Sequence, residues 1–307
     1  MVAIKLEGIL PPIPTPFDEE GEIETNALLR NLKYWSSFSL AGCVVLGSNG
    51  ESVHLSEYET QQVLETARAG IAMDRLMIAG VGRPSTRETI TWTRNAASIG
   101  ASAALVLPPS YFRGQMTPQI LVNYFKDIAE ASPLPVILYN MPACTGIDMD
   151  AEIVLALADH ENIVGLKDSG GNVTKLGEIR YYANEQFSVL AGSAGFLVPA
   201  LSMGASGGIL ALANIAPQQC LEMYNAAKNR NWKMAQTMQL NLIRSNTAVT
   251  RGWGVPALKA AMDVLGLYGG APRAPLARLA EPRYSKLMSI LAEAGIVASG
   301  YKEMSKK

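Results

Sequence analysis

The chain has 307 residues, of which 49% are hydrophobic and 17% charged, and its formal net charge is −1. This composition is typical of a globular enzyme with a large apolar core. The near-neutral charge, without a basic block, argues against a nucleic acid partner. No apolar stretch reaches the length that spans a bilayer, so we expect no membrane partner either.

The cysteines, histidines and first residues bear on cofactors and location. Cys43, Cys144 and Cys220 share no metal-binding spacing, and the two histidines lie far apart in the chain. We therefore expect neither a metal site nor a disulfide framework. Residues 1–10 contain no arginine and include Glu7, which is unlike a signal or transit peptide. These features predict a cytoplasmic protein with reduced thiols.

Short apolar runs recur along the chain, and stretches with helical spacing separate them. The predicted strands are residues 9–15, 43–46, 76–79, 103–107, 135–139, 163–167, 187–190 and 207–210. Between them, residues 25–38, 56–71, 85–99 and 117–131 place apolar residues three and four apart. Helix-capping residues open several of these stretches, namely Thr25, Ser56, Ser85 and Thr117.

Eight strand–helix repeats predict an α/β fold, a (β/α)8 TIM barrel over residues 1–225. The strands are apolar throughout, as a parallel sheet covered by helices requires. A doubly wound sheet is disfavoured because Thr15-Pro16-Phe17, and no glycine-rich turn, follows the first strand. Residues 226–307 are predicted to form a C-terminal helical region, with helices at 232–246, 256–265 and 284–294 and a Gly/Pro-rich link at 266–275.

Several polar residues follow the predicted strands, where a barrel gathers its functional groups. Lys167 closes an apolar strand, and a lysine in that position either snorkels to water or is a desolvated amine that can attack a carbonyl. Tyr139 closes the preceding strand, and Ser48 follows the second one within a Gly-flanked turn. Tyr111 and Gly192 also fall at strand ends. An amine, a phenol and an anion-binding turn are thus expected to meet at one site.

Three motifs carry a resemblance to a known family: residues 47–51 (GSNGE), 139–146 (YNMPACTG) and 165–168 (GLKD). The chain resembles, over essentially its whole length, the pyruvate-dependent class I aldolase superfamily of dihydrodipicolinate synthase and N-acetylneuraminate lyase. Residues 167–171 (KDSGG), 190–196 (LAGSAGF), 211–214 (ALAN) and 273–276 (RAPL) look most like 4-hydroxy-2-oxoglutarate aldolase.

The resemblance implies a role for each strand-end residue. Lys167 would form a Schiff base with the 2-oxo group of the substrate, and Tyr139 would transfer protons. Ser48 would relay those protons, and the backbone N–H groups of Ser48 and Asn49 would hold the carboxylate. Tyr111 would insert into the site of a neighbouring subunit. No cofactor is implied beyond the covalent lysine imine, and the expected assembly is a homotetramer.

The substrate, by the same resemblance, is a small 2-oxo acid. The residues predicted to bind it are Ser48, Asn49, Gly50, Arg113, Ser169, Gly192, Ser193 and Ile209. Dihydrodipicolinate synthases typically carry arginine where this chain has Cys144, and that guanidinium would grip the carboxylate of the second substrate. Its loss favours cleavage of 4-hydroxy-2-oxoglutarate to pyruvate and glyoxylate. Arg113 or Arg251 would then supply charge for the distal carboxylate.

Other interpretations remain open on the sequence alone. The same chemistry could act on a 2-keto-3-deoxy sugar acid, or the chain could be a dihydrodipicolinate synthase. A phosphate-handling barrel enzyme and a non-catalytic binder of 2-oxo acids are further alternatives. Tyr139 could be an ordinary core tyrosine, the turn at 47–51 a simple strand–helix connection, and Tyr111 a packing residue. Glu51 is expected to orient that turn.

Overall fold

The computed structural model describes residues 4–298. Eight strands form its centre, and all of their pairings are parallel. The strands are β1 (Gly8–Leu10), β2 (Gly42–Val45), β3 (Leu76–Gly80), β4 (Ala103–Val106), β5 (Val136–Asn140), β6 (Ile163–Asp168), β7 (Ser188–Ala191) and β8 (Gly207–Ile209).

The strand order is that of a closed ring. Neighbours follow the order β1-β8-β7-β6-β5-β4-β3-β2. The two ends of this order also meet, because the Ala41 N–H donates to the Ile9 carbonyl at 3.0 Å and the Val44 N–H to the Pro11 carbonyl at 2.9 Å. The predicted (β/α)8 TIM barrel is therefore confirmed.

Twelve α-helices lie among the described residues 4–298. They are α1 (Thr25–Ser36), α2 (Glu57–Gly70), α3 (Thr86–Ile99), α4 (Pro118–Ala131), α5 (Pro142–Thr145), α6 (Ala151–Ala158), α7 (Val173–Tyr182), α8 (Leu197–Ser202), α9 (Pro217–Lys228), α10 (Trp232–Thr247), α11 (Gly254–Val264) and α12 (Arg283–Glu293). None of the helices in this part of the chain is both long and apolar enough to cross a membrane.

Local sequence explains where the helices begin. Before α2, the Ser56 hydroxyl accepts from the Glu59 N–H at 3.3 Å and the Glu59 carboxylate accepts from the Ser56 N–H at 2.8 Å. This reciprocal capping box satisfies two backbone donors that the helix itself cannot. Ser85 and Thr117 cap α3 and α4 in the simpler way, through one side-chain acceptor each. These three predicted caps are confirmed, whereas Thr25 is the first residue of α1.

Two apolar layers hold the barrel together. The larger layer lies between the strands and the surrounding helices. The smaller layer fills the inside of the ring and contains Leu10, Val44, Ile137, Leu190 and Ile209. Because successive strand residues point to opposite faces, strands such as β2 and β7 supply both layers, whereas the glycine-rich β8 supplies only Ile209 to the smaller one.

The first strand is shorter than predicted. Residues 9–15 were expected to be extended, but β1 ends at Leu10. Pro11, Pro12 and Pro14 follow, and a proline has no N–H to donate to a neighbouring strand. The isolated bridge between Pro12 and Val44 continues the parallel pairing, whereas the bridge at Phe17 is a local antiparallel contact with Ile23.

The C-terminal helices pack on the barrel where β7 ends. In α10, the Gln239 amide donates to the Ala194 carbonyl at 2.6 Å and accepts from the Val198 N–H at 3.0 Å. The three helices predicted in this region correspond to α10, α11 and α12. The predicted division after residue 225 lies within α9, which continues to Lys228 because buried Ala226 and Ala227 still pack. Residues 299–307 of the predicted C-terminal region lie outside the described residues.

Candidate active site

Lys167 is the residue before the last in β6, and its side chain points into the barrel. The residue is only 3% exposed, and its Nζ atom lies 3.9 Å from the centroid of the Tyr139 ring. Tyr139 belongs to the interior apolar layer, so the amine is held among strand side chains and does not snorkel to water. A lysine buried without a carboxylate partner is rare and points to a chemical role.

Tyr139 connects Lys167 to the turn after β2. Tyr139 and Lys167 are aligned partners in β5 and β6. The Tyr139 hydroxyl lies 3.4 Å from the Ser48 hydroxyl, and either oxygen can donate the hydrogen bond. The amine thus lies over the face of a phenol ring whose hydroxyl is within hydrogen-bonding distance of an aliphatic hydroxyl. This arrangement disfavours the view of Tyr139 as an ordinary core tyrosine, whose hydroxyl would bond to a backbone carbonyl.

The turn after β2 presents backbone N–H groups at the mouth of the barrel. Ser48–Gly50 is one 3₁₀ turn, in which the Gly50 N–H donates to Gly47 and the Glu51 N–H to Ser48. The first N–H groups of such a turn, on Ser48 and Asn49, have no acceptor within it. The Thr15 hydroxyl, in the segment after β1, donates to the Gly50 carbonyl at 2.7 Å and supports the turn. The N–H pair can thus receive an anion.

Cys144 also faces this group of residues. It lies in α5, directly after β5, and the residue as a whole is exposed. Its thiol is nevertheless partly shielded, and this burial raises the pKa of Cys144, although the charge of Lys167 and a hydrogen bond with Ser48 oppose the shift. The position where synthases typically have arginine is therefore at the site, and here it holds an uncharged, protonated thiol.

Arg113, one of the two arginines proposed from the sequence to bind the distal carboxylate, lies beside the loop that contains Cys144. It opens the 3₁₀ turn Arg113–Gln115 between β4 and α4. A Cβ atom placed on Gly146 would lie 3.2 Å from Cδ and 3.6 Å from Nη1 of Arg113, so the guanidinium rests against the end of α5. Within residues 4–298, nothing pairs with this guanidinium. It is exposed and available to a ligand.

The ends of β6 and β7 crowd together. The Gly192 N–H donates to the Asp168 carbonyl at 2.6 Å, and a Cβ atom at Gly192 would lie 2.1 Å from the Ser169 hydroxyl oxygen. Only glycine fits there. The Ser193 hydroxyl accepts from the Asn246 amide at 2.9 Å. Ile209 is fully buried in the interior layer and closes the floor of the barrel mouth.

Two of the proposed residues, Tyr111 and Arg251, are exposed. Tyr111 is 83% exposed and packs edge-to-face on Phe112, outside the ring. It lines a surface cavity of about 520 Å³ between α3 and α4, together with Pro84 and Ile120. Its predicted insertion into a neighbouring subunit stays a prediction. Arg251 is exposed in the π-turn Ala248–Gly252 and lies one turn beyond Asn246.

A polar network behind the strands was not foreseen from the sequence. Asn140 and Asp168 follow Tyr139 and Lys167, so they point away from the ring, and the Asn140 amide donates to Asp168 at 2.7 Å. The Lys175 ammonium lies 3.0 Å from Asp168 and 2.6 Å from Asp148. Burial lowers the pKa of Lys175, but the two carboxylates outweigh it and the net shift is upward. The network fixes the ends of β5 and β6. The sequence signal for it was the polar residue directly after Tyr139 and directly after Lys167, namely Asn140 and Asp168.

Comparison with known proteins places these features in one family. Residues 5–294 match the model of the dihydrodipicolinate synthetase family. The 4-hydroxy-tetrahydrodipicolinate synthase of Methanothrix thermoacetophila is 34% identical, over 93% of this chain and 96% of the relative. A probable mitochondrial 4-hydroxy-2-oxoglutarate aldolase of Emericella nidulans is 35% identical, over 87% of this chain and 88% of the relative.

Two further relatives complete the comparison. The L-threo-3-deoxy-hexylosonate aldolase of Hypocrea jecorina is 35% identical, over 94% of this chain and 95% of the relative. The dihydrodipicolinate synthase of Acinetobacter baumannii, solved as a complex with pyruvate, superimposes with a TM-score of 0.90 at 31% identity, covering 95% of this chain and all of the other. With its barrel, its motifs and these relatives, the chain belongs to the dihydrodipicolinate synthetase family.

Proposed function

We propose that the protein is a class I aldolase that cleaves 4-hydroxy-2-oxoglutarate to pyruvate and glyoxylate through a Schiff base on Lys167. The observation that carries this proposal is the amine of Lys167, buried in the ring at 3.9 Å from the Tyr139 ring centroid, with the Tyr139 hydroxyl next to Ser48. A desolvated amine beside a proton-transferring phenol is suited to imine chemistry.

The reaction begins with addition of the Lys167 amine to the C2 carbonyl. The resulting carbinolamine loses water, and Tyr139 donates the proton that the departing hydroxyl requires. The product is a protonated imine, which is an electron sink. The hydroxyl at C4 then loses its proton to the Tyr139–Ser48 path, the C3–C4 bond breaks, and its electron pair forms an enamine while glyoxylate leaves.

The second half of the reaction reverses the first. The enamine takes a proton at C3 and becomes the imine of pyruvate. Water adds to C2, and pyruvate leaves with regeneration of the free amine. Every proton can pass through Tyr139 and Ser48, so the chemistry needs no cofactor. The N–H groups of Ser48 and Asn49 bind the carboxylate next to C2, which places the carbonyl carbon at the amine.

Substrate choice depends on the far end of the site. A substrate that releases glyoxylate has a second carboxylate, which needs a charged partner when it leaves water. Cys144 supplies none, and we propose that Arg113, which rests against Gly146, does so. The uncharged Cys144 also disfavours the synthase reaction, because aspartate semialdehyde would lack the guanidinium that synthases typically supply from this position.

A second candidate is cleavage of a 2-keto-3-deoxy sugar acid. The hydroxyls of Ser169 and Ser193 lie at the ends of β6 and β7, where they can bind the hydroxyls of a longer chain. The relative from Hypocrea jecorina carries the name of such an aldolase. In this case the Lys167 chemistry is unchanged and only the leaving aldehyde differs.

Two experiments test the proposal. Treatment with pyruvate and borohydride should leave a stable adduct on Lys167 and abolish activity, whereas borohydride alone should do neither. An adduct on another lysine, or full activity afterwards, contradicts the Schiff-base mechanism. The second experiment compares kcat/KM for cleavage of 4-hydroxy-2-oxoglutarate, for cleavage of 2-keto-3-deoxy acids and for condensation of pyruvate with aspartate semialdehyde. The first reaction should be fastest, and faster condensation would show that the argument from Cys144 is wrong.

We further propose that the protein assembles as a homotetramer in which Tyr111 reaches the site of a neighbouring subunit. Its exposed position beside Phe112 supports this, because large exposed aromatic side chains are typical of interfaces.

A further inference from the structure

Glu51 follows the anion-binding turn and is buried, although it is charged. Its side chain is 1% exposed, and its backbone has the left-handed conformation, with φ of 53°. A carboxylate in such a position must be fully paired. The Nδ1 atom of His54, three residues further on, lies 3.5 Å from Oε2 of Glu51, and the other residues that pair with Glu51 come from the far end of the sequence.

Lys259 is the first of these partners. It lies in α11, its side chain is 1% exposed, and its Nζ atom is 2.6 Å from Oε1 of Glu51. The same ammonium donates to the Ala271 carbonyl at 2.9 Å and lies 4.4 Å from the centroid of the Phe17 ring. Lys259 is therefore fixed on three sides.

Arg273 is the second partner. Its backbone N–H donates to Oε2 of Glu51 at 2.9 Å. Its guanidinium donates to the His54 carbonyl at 3.0 Å and to the Glu59 carboxylate at 2.6 Å, and it lies 4.3 Å from the centroid of the Phe17 ring. The loop after β2 and the start of α2 are thus tied to one arginine from the segment after α11.

A buried ion pair adds little to the net free energy of folding, because the cost of desolvating both charges offsets most of their Coulomb attraction. What such a pair does well is fix one geometry, since any displacement leaves a buried charge without its partner. Here the fixed residue directly follows Ser48–Gly50, whose first N–H groups form the anion site. None of the residues that hold Glu51 touches the reacting groups.

We propose that Glu51, Lys259 and Arg273 are positioning residues, through which the C-terminal region holds the Ser48–Asn49 turn in the geometry that binds the substrate carboxylate. The inference rests on the proposed function only to the extent that a 2-oxo acid binds at Lys167, and it holds for any leaving aldehyde. Loss of this pairing should weaken binding of the carboxylate, while the chemistry at Lys167 continues at saturation.

The test uses borohydride trapping of pyruvate on the full-length protein, which requires no aldehyde substrate. Lys259→Met keeps the length of the side chain but removes its charge. We expect the pyruvate concentration for half-maximal trapping to rise by about 10- to 100-fold, the range of a lost charge-assisted contact, with the trapping rate at saturation within about 3-fold of wild type. Lys228→Met is the matched control, because Lys228 pairs with Glu7 at 2.7 Å far from the turn.

Four outcomes decide whether the Glu51 cluster positions the turn. If Lys259→Met lowers the melting temperature but leaves half-maximal trapping unchanged, the cluster is only structural and the inference is wrong. If that variant does not fold, Glu51→Gln takes its place, since the oxygen of its amide still accepts from the Arg273 N–H. Glu51→Gln should raise the pyruvate concentration for half-maximal trapping, and an unchanged concentration would overturn the inference.

The double variant Lys259→Met/Glu51→Gln should recover part of the pyruvate binding, because neither charge remains unpaired. Failure of wild-type trapping would instead contradict the Schiff-base proposal itself.

Discussion

Lys167 and Tyr139 face each other as aligned residues on neighbouring strands, with the amine 3.9 Å from the centroid of the phenol ring. The register of two parallel strands is thus sufficient to place an amine and a proton donor side by side. Since Asn140 and Asp168 pair on the opposite face of the same strands, a shift in register would separate Lys167 from Tyr139 and also break the Asn140–Asp168 hydrogen bond.

This geometry gives the first prediction. Tyr139→Phe keeps the ring beside Lys167 and removes only the hydroxyl. Pyruvate should still be trapped on Lys167, whereas turnover of 4-hydroxy-2-oxoglutarate should fall by roughly 10²–10⁴-fold, the usual effect of losing a positioned acid–base group. Steady-state cleavage and borohydride trapping, measured in parallel, separate the two effects. Normal turnover would return Tyr139 to the role of a core residue.

Ser48→Ala should have a smaller effect. The variant removes the hydroxyl that lies 3.4 Å from Tyr139, but it leaves the backbone N–H groups in place. Because a water molecule can replace a relay hydroxyl, we expect kcat to fall by less than about 10²-fold. Half-maximal trapping by pyruvate should not change. A loss larger than that of Tyr139→Phe would mean that Ser48, not Tyr139, is the principal proton donor.

Arg113→Ala tests the distal carboxylate site. Removal of a charge-assisted contact should raise KM for 4-hydroxy-2-oxoglutarate by about 10- to 100-fold. Pyruvate has no distal carboxylate, so its trapping should be unaffected. Arg251→Ala is the matched control, since Arg251 is also exposed but lies in the π-turn Ala248–Gly252. If the KM for 4-hydroxy-2-oxoglutarate is unchanged in Arg113→Ala but raised in Arg251→Ala, the distal carboxylate binds at Arg251 instead.

Tyr111 can be tested by mixing two inactive variants. If Tyr111 acts in the neighbouring subunit, a mixture of Lys167→Met and Tyr111→Ala contains pairs with one complete site. Random exchange should recover roughly a quarter of wild-type activity, because half of the pairs are mixed and each has one complete site. Mass-resolved detection of mixed oligomers is the necessary control. Mixed oligomers without activity would show that Tyr111 does not act across the interface.

Acid stability offers a test outside the active site. The hydrogen bond from Arg273 lowers the pKa of Glu59 to about 2, although burial opposes this. Since the ordinary value is 4.5, the contribution of Glu59 to stability is complete above pH 4.5 and disappears as the pH falls towards 2. Urea unfolding of Glu59→Gln should therefore differ from wild type at pH 7 and converge with it near pH 2. Glu57→Gln, at an exposed position in the same helix, is the matched control.

The sequence was most informative where local rules act alone. Capping residues marked the starts of α2, α3 and α4, and apolar runs marked the strands, because both depend on neighbours a few residues away. The strand-end positions of Tyr139 and Lys167 then followed from the barrel itself. By contrast, the first strand was predicted too long, since its apolar character concealed the effect of Pro11 and Pro12 on hydrogen bonding.

Long-range polar contacts were the part that could not be predicted. Glu51 looked like a residue that orients its own turn, and nothing near it indicated which side chains would pair with it. Lys259 and Arg273 lie more than 200 residues away, as their hydrogen bonds and ion pair show. Spacing along a single sequence contains no information about such pairs, because the barrel must close before they meet.

The pairing of Glu51 has a consequence for the order in which the protein matures. All eight strands have been synthesised once Ile209 leaves the ribosome, and domains can begin to fold during synthesis. The Glu51 carboxylate, however, meets the Lys259 ammonium and the Arg273 N–H only when residues 259 and 273 emerge. A nascent chain can thus form its ring before Lys259 and Arg273 reach the turn after β2.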